Sequence, residues 1–209
     1  MAELLGMHVG DGTLYATHSS IVWELRGDLK EKAYYNNIVI PILYDVFKIK
    51  FIPKFRSGGK NGCFGVQTCS KDVTSFFSEY GFKPGRKSGI VRIPQIVLNS
   101  EKKIQLSFLR GYFDTDGCLR YECINGKSIR NYPKLEMGSL SVSLINDLKI
   151  IFNKFGFRSY CWLDKRTNTS KICIAGKKML NKWINEVQPH NPKHLNKYFK
   201  QAILGAGVA

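Results

Sequence analysis

Two nine-residue stretches of this 209-residue chain end alike and stand at matching places in its two halves. They read Leu4-Leu5-Gly6-Met7-His8-Val9-Gly10-Asp11-Gly12 and Leu109-Arg110-Gly111-Tyr112-Phe113-Asp114-Thr115-Asp116-Gly117. Each is largely apolar, carries small residues four apart and closes on Asp-Gly. Positions four apart share one face of a helix. Gly6 and Gly10 therefore form one flat stripe, and Gly111 and Thr115 another. Two such stripes let helix backbones approach closely and form a helix–helix interface. The closing aspartates, Asp11 and Asp116, lie 105 positions apart. The natural reading is a duplicated fold with one carboxylate per half, the two meeting at paired helix ends.

The order of elements repeats with the motif. In the first half, Glu3 to Gly10 reads as a short helix, and Leu14–Thr17 with Ile21–Leu25 as a hairpin. Asp28 is placed to cap a helix running to about Val46, with Tyr34, Ile38, Ile42 and Val46 on one face. Phe51–Phe55 and Cys63–Thr68 flank a turn at Gly58-Gly59-Lys60-Asn61-Gly62. Ser70 is placed to cap a helix ending near Tyr80-Gly81. In the second half a helix ends at Thr115. Strands are expected near Leu119–Cys123, Lys134–Met137, Arg158–Leu163 and Lys171–Ile174. Helices are expected from about Val142 to Phe155 and from Lys177. Local sequence echoes the order: Phe47-Lys48-Ile49 matches Phe155-Gly156-Phe157 at an offset of 108, and Ser70-Lys71 matches Gly176-Lys177 at 106. Lys87 matches Lys193, again at 106. Two halves about a pseudo-two-fold axis fit this pattern. The expected boundaries are 1–84, a bridging segment 85–101, and 102–209.

Lys and Arg outnumber Asp and Glu by 32 to 16. The excess is spread through both halves, with 15 basic and 9 acidic residues over 1–104 and 17 and 7 over 105–209. A broad basic surface favours a polyanionic partner, nucleic acid first and anionic membrane a distant second. No stretch approaches the ~20 apolar residues of a membrane span, and no basic n-region marks a secretory signal. The six cysteines show no CxxC spacing and read as reduced core residues. Cys118 and Cys123 make a poor zinc pair. The expected location is therefore intracellular: cytoplasm or nucleoid in a prokaryote, an organelle in a eukaryote.

Convergence of Asp11 and Asp116 costs energy unless cations neutralise them. The helix C-terminus is itself slightly negative, which sharpens that demand. Hard oxygen ligands select magnesium or similar ions, with manganese or calcium as expected substitutes for binding. Such ions can activate water and stabilise the leaving oxygen in phosphodiester cleavage. An isolated Asp-Gly is also a common turn dipeptide. Two copies at matching places of a duplication, on a basic chain, favour the metal reading. His8, on an apolar helix, reads as a core or interface histidine.

With these residues in place, the chain resembles the LAGLIDADG homing endonucleases in their single-chain, two-motif form. The resemblance covers nearly the whole sequence. The second motif is close to the family pattern. The first departs at His8 and Val9, leaving the final acidic position intact. The resemblance implies an α+β fold of two αββαββα half-domains, each with a curved antiparallel sheet, joined at a two-helix interface. It implies a monomeric, magnesium-dependent endonuclease of intron homing, cutting both strands of a long asymmetric DNA site to leave short 3′ overhangs. It carries metal ligation to Asp11 and Asp116, with the backbone carbonyls of Gly10 and Thr115. It carries a catalytic role to Lys87 and Lys193, whose alternative is contact with the DNA backbone alone, or none. Asp114 is read as supporting the helix interface, since Val9 is its counterpart.

DNA contacts are expected from strand residues that alternate outward. The candidates are Tyr15, Thr17, Trp23, Lys54, Arg56, Gln67, Arg120, Glu122, Arg158, Tyr160, Trp162, Lys165 and Arg166. Arg26 and Ser139 join them, near strand ends where the family carries a further polar residue. Each has the alternative of a solvated or core-edge position, and Trp23 and Trp162 of simple packing. An RNA maturase assisting intron splicing, with intron RNA as partner, is the alternative function. An inert DNA-binding regulator predicts a missing motif aspartate, and both are present. The expected splicing residues are absent at either end, which argues against a protein-splicing element.

Overall fold

The computed structural model describes residues 1–57, 62–123 and 130–206. Most of the turn expected at residues 58–62 lies outside them. The first motif forms α1 (Ala2–Gly10) and the second lies in α6 (Lys102–Asp116). In the first half, α1 leads into β1 (Gly12–Ala16) and β2 (Ile21–Asp28). A helical stretch follows, then β3 (Lys54–Arg56), β4 (Cys63–Thr68) and α4 (Lys71–Glu79). In the second half, α6 leads into β5 (Cys118–Glu122), β6 (Tyr132–Ser139), α7 (Val142–Lys154), β7 (Ser159–Asp164), β8 (Thr169–Ala175) and α8 (Lys177–Glu186). The strand orders are β1-β2-β4-β3 and β5-β6-β8-β7, antiparallel throughout. The expected α+β class with two repeated halves is what the chain adopts.

Register assigns the faces. In the first sheet Leu14, Trp23, Leu25, Phe64 and Val66 are buried against the helices. Thr13, Tyr15, Glu24, Arg26, Gln67, Lys54 and Arg56 lie on the other face. In the second sheet Leu119, Leu135, Met137, Ile172 and Ile174 pack inward. Trp183 of α8 sits among Phe113, Phe152 and Phe157, with ring centroids 5.1–5.7 Å away. In the first half Trp23 stacks on Phe77 of α4 at 4.9 Å.

Several expectations are corrected. The helix after β2 does begin with the Asp28 cap: Asp28 accepts from Lys30 N–H, and Glu31 accepts from Asp28 N–H. It is not continuous. A 3-10 turn (Leu29–Glu31), α2 (Lys32–Tyr34) and a π turn (Tyr35–Val39) precede α3 (Ile40–Phe47). Pro41 has no N–H and its ring crowds the preceding turn. Just upstream, Ile40 N–H reaches five residues back to Tyr35 O. The widened turn moves the buried stripe to Tyr35, Val39 and Leu43, and leaves Ile38, Ile42 and Val46 half-buried. Ser70 occupies the cap position of α4 without a capping side-chain bond. Cys173 is buried, but Cys69, Cys118, Cys123 and Cys161 are exposed, contrary to the core reading. No helix among the described residues is long and apolar enough to cross a membrane.

Between the halves, Val91, Ile93 and Val97 are buried, and α5 (Gln95–Leu98) was not foreseen. Asp147 of α7 holds this segment: it takes Arg92 through both oxygens at 2.8 and 3.2 Å, and Ile93 N–H at 3.3 Å. A final helix, α9 (Pro192–Ala206), was also unforeseen.

The repeat is visible in backbone angles. Lys48 (φ 56°) and Gly156 (φ 68°) end α3 and α7 in the left-handed region, at the same offset as their flanking sequence. Helix ends commonly use this conformation, and glycine adopts it without strain.

The interface of α1 with α6 is backbone against backbone. A Cβ on Gly6 would strike the Phe108 carbonyl oxygen, and one on Gly111 that of Glu3. Gly10 lies against the Thr115 side chain. Both stripes thus meet as read from the sequence. Gly6→Ala should cost about 3 kcal/mol, toward the upper end for overpacking, because the blocking atom is main chain and cannot rotate away. Urea unfolding against the parent protein measures it.

Candidate functional site

Asp11 caps the C-terminal end of α1, and Asp116 is the last residue of α6. The tight helix contact brings these ends together: the space beside Gly10 is bounded by Thr115 and the Asp116 N–H. Asp11 is half-buried and Asp116 opens to solvent, with protein packed beneath both. Burial, then the neighbouring Asp116, then Glu31 push the Asp11 carboxyl up to about 7. Burial also raises Asp116, partly offset by Lys87 and Lys193.

Both position-matched lysines sit under these helix ends. Lys87 Nζ donates to the carbonyls of His8, Val9 and Gly10 at 2.5–2.8 Å. An ammonium has three protons, so all of them are committed to the end of α1. Its charge there opposes the negative end of the helix. Burial lowers Lys87 to about 8, against the opposing pull of Asp116 and Asp11. Lys193 Nζ donates to Thr115 O at 2.8 Å and pairs with Glu31 Oε1 at 2.9 Å. The Gly10 and Thr115 carbonyls, expected to face metal, thus each accept a lysine proton.

Three further participants stand around this centre. Glu31 completes the Asp28 cap and also takes Asn191 Nδ2 at 2.7 Å and Lys193. It joins the first half to the second at the carboxylate centre. His194, beside Lys193, is buried with its ring 4.2 Å from that of Phe113 and held down to about 3 by burial and then Lys193. The third is a buried polar group beside the helix interface: Glu3, Asp114 and His190, whose ligand-type atoms lie within 4.8 Å of one another. Arg110 pairs with Glu3 at 3.1 Å and donates to Val187 O at 2.7 Å. Asp114 accepts His190 N–H at 2.8 Å, from the segment that follows α8 rather than from α1.

His8 is a core histidine: it accepts Trp23 Nε1–H at 3.1 Å and sits 4.4 Å from both Phe77 and Phe82. Trp23 is therefore corrected. Fully buried with its N–H engaged, it is no DNA contact. Tyr15, Arg26, Lys54, Arg56 and Gln67 do share one open face. Gln67 donates to Tyr15 Oη at 2.9 Å and accepts from Arg26 at 3.1 Å. Thr17 lies in the turn after β1, bonded to Ser20. On the second sheet Arg120, Glu122, Tyr160 and Trp162 share the open face, the two rings stacked 5.4 Å apart. Arg158 precedes β7, and Lys165 and Arg166 occupy the exposed turn after it. Ser139 ends β6, where its hydroxyl accepts Ser141 N–H at 3.0 Å.

A pair of helix-end carboxylates, framed by lysines and flanked by two polar sheet faces, makes up a two-fold site. Residues 103–187 match the model of the LAGLIDADG-like domain. The second half matches that family model, and the first half repeats its fold; the resemblance read from the two motifs is borne out. The homing endonuclease I-DmoI, in its mesophilic variants, superposes with a TM-score of 0.65 at 16% identity, covering 93% of this chain and 95% of that one. I-DmoI in complex with DNA and manganese gives 0.62 at 17% identity, with coverages of 89% and 94%. The homing endonuclease I-WcaI, bound to its DNA recognition sequence, gives 0.61 at 19%, with coverages of 92% and 82%. Two curated proteins of Methanocaldococcus jannaschii also match. The glutamine–fructose-6-phosphate aminotransferase is 23% identical over 85% of this chain and 15% of its own length. The replication factor C small subunit is 25% identical over 92% of this chain and 10% of its own. The chain therefore spans only a small part of these curated relatives.

The raised Asp11 carboxyl carries a prediction. Its folded value, about 7, lies above the ordinary 3.8, so the folded state binds the extra proton and loses stability as pH rises between these values. Asp11→Asn mimics the protonated form. In a chelating buffer it should melt higher than the parent at pH 8, by at least the roughly 2–4 °C that 1 kcal/mol is worth in a chain this size. The gap should close toward pH 4.

Proposed function

We propose that this protein is a site-specific DNA endonuclease of the homing type. In this reading it is an intracellular monomer whose halves, 1–84 and 102–209, are joined by 85–101. It uses magnesium to cut both strands of a long asymmetric site with short 3′ overhangs. The observation that carries the reading is the convergence of Asp11 and Asp116, one from each half, between two open polar sheet faces. I-DmoI and I-WcaI, which share the fold, are described as homing endonucleases bound to DNA. A segment shared by an aminotransferase and a replication factor subunit is separable from either activity. That suits an element which moves between hosts.

The residues present fit a divalent cation. Two oxygen donors of the hard type converge, and burial, then the neighbouring Asp116, raises Asp11. A bound divalent ion would supply Lewis acidity toward water and the leaving oxygen. The chain's own part is electrostatic and geometric. Asp11 and Asp116 hold and orient hydroxylic groups at their oxygens. Lys87 and Lys193 place fixed positive charge beneath the centre, where negative charge builds on a phosphate under attack. Because the two carboxylates descend from different halves, each half faces one strand.

Incubation of a plasmid library of intron-junction sequences with magnesium tests this. The parent protein should give a discrete double-strand break. Asp11→Asn and Asp116→Asn should each slow it about 100-fold or more. An uncut library, with tight and steeply salt-dependent binding of RNA, would replace the reading with a maturase.

A further inference from the structure

The two sheets place a cation at equivalent points by opposite means. Thr13 and Cys118 each stand two residues after a motif aspartate, and they pair with Glu24 and Glu136. Two residues further along β2 and β6 stand Arg26 and Gly138. Their partners on the next strand are Gly65 and Lys171. One half therefore reads Arg across from Gly, and the other Gly across from Lys. Ser139 matches Gly27, not Arg26.

The space confirms the exchange. A Cβ on Gly65 would press on the Arg26 backbone and side-chain stem. A Cβ on Gly138 would lie 3.5 Å from Lys171 Cγ. Each cation's stem thus lies over the glycine opposite. Each head is held by the equivalent glutamate: Arg26 Nε to Glu24 at 2.8 Å, and Lys171 Nζ to Glu136 at 2.9 Å. Both glutamates have a second cation, Arg56 at 3.3 Å and Arg120 at 2.8 Å. Either cation can therefore leave its glutamate for an incoming phosphate without stranding a buried carboxylate.

We propose that Lys171 takes, in the second half, the place Arg26 holds in the first, and that each grips the DNA strand attacked in its own half. The strand assignment rests on the endonuclease reading; the phosphate contact does not. Lys171 lies on the open face beside Trp162, its ammonium 5.9 Å from the ring centre, within reach of a backbone on that face. Arg26 lies one step past the Leu25–Gly12 pair, alongside Asp11.

Two measurements test it. Binding to a pool of random-sequence duplexes is followed against salt in a chelating buffer. Lys171→Met and Arg26→Met should each reduce the slope of log K on log salt by about 0.9, the value of one lost phosphate contact. Lys171→Arg should retain the slope. An unchanged slope for Lys171→Met overturns the proposal. On a cleaved target with each strand labelled, Lys171→Met should delay one strand and Arg26→Met the other. Gly138→Arg with Lys171→Gly, which rebuilds the first half's arrangement, should restore the delayed strand. Delay of the same strand by both variants overturns the half-by-half assignment. Reduced slopes in a protein that cuts no DNA would sustain the grip and remove the endonuclease reading.

Discussion

Gly6 lies against the Phe108 carbonyl and Gly111 against that of Glu3, so the main chains of α1 and α6 approach as closely as backbones can. The separation is set by peptide groups rather than by side chains, which could rotate or repack. The helix ends are fixed with it, and so are Asp11 and Asp116, which continue directly from them. The sheets inherit the same reference, because β1 and β5 begin within two residues of each aspartate. A side-chain-mediated helix contact, some 8–10 Å between axes, would leave those carboxylates freer to drift apart.

Such closeness concentrates negative charge. Two helix ends, two motif carboxylates and Glu31 gather there, and burial, then the charges of Asp116 and Glu31, raises Asp11 to about 7. Lys87 and Lys193 answer it from below, through the terminal carbonyls of each motif helix. They leave the solvent side of Asp116 open. The imbalance is local and directional: cations of the chain lie beneath, and Asp116 faces solvent above. A hydrophobic contact could keep the helices together, but it could not hold this charge pattern.

The motif helices were legible because period four and the closing Asp-Gly are local features, and duplication let each copy vouch for the other. The offset pairs Lys87 with Lys193, and the family resemblance supplies the role expected of them. Trp23 misled because its face depends on hairpin register. With Tyr15 opposite Val22, Trp23 points inward. Glu31 hid behind a complete local explanation, the Asp28 cap, while its second role lies across the chain at Lys193. Pro41 did signal the broken helix after β2, since a proline inside a helical pattern forfeits a bond. Lys171 is visible only once strand pairing is known, because its equivalent in the first half is a glycine.

Glu31 binds Lys193 and Asn191 of the opposite half, whereas Lys87, from the bridging segment, turns to the carbonyls at the end of α1. The halves therefore look alike but are not interchangeable modules. A first half grafted onto a foreign second half would bring an acid in search of a partner. A second half doubled on itself would carry two lysines without that acid. Exchange of either half alone removes the contacts of Glu31 with Asn191 and Lys193, which two copies of the second half could not make.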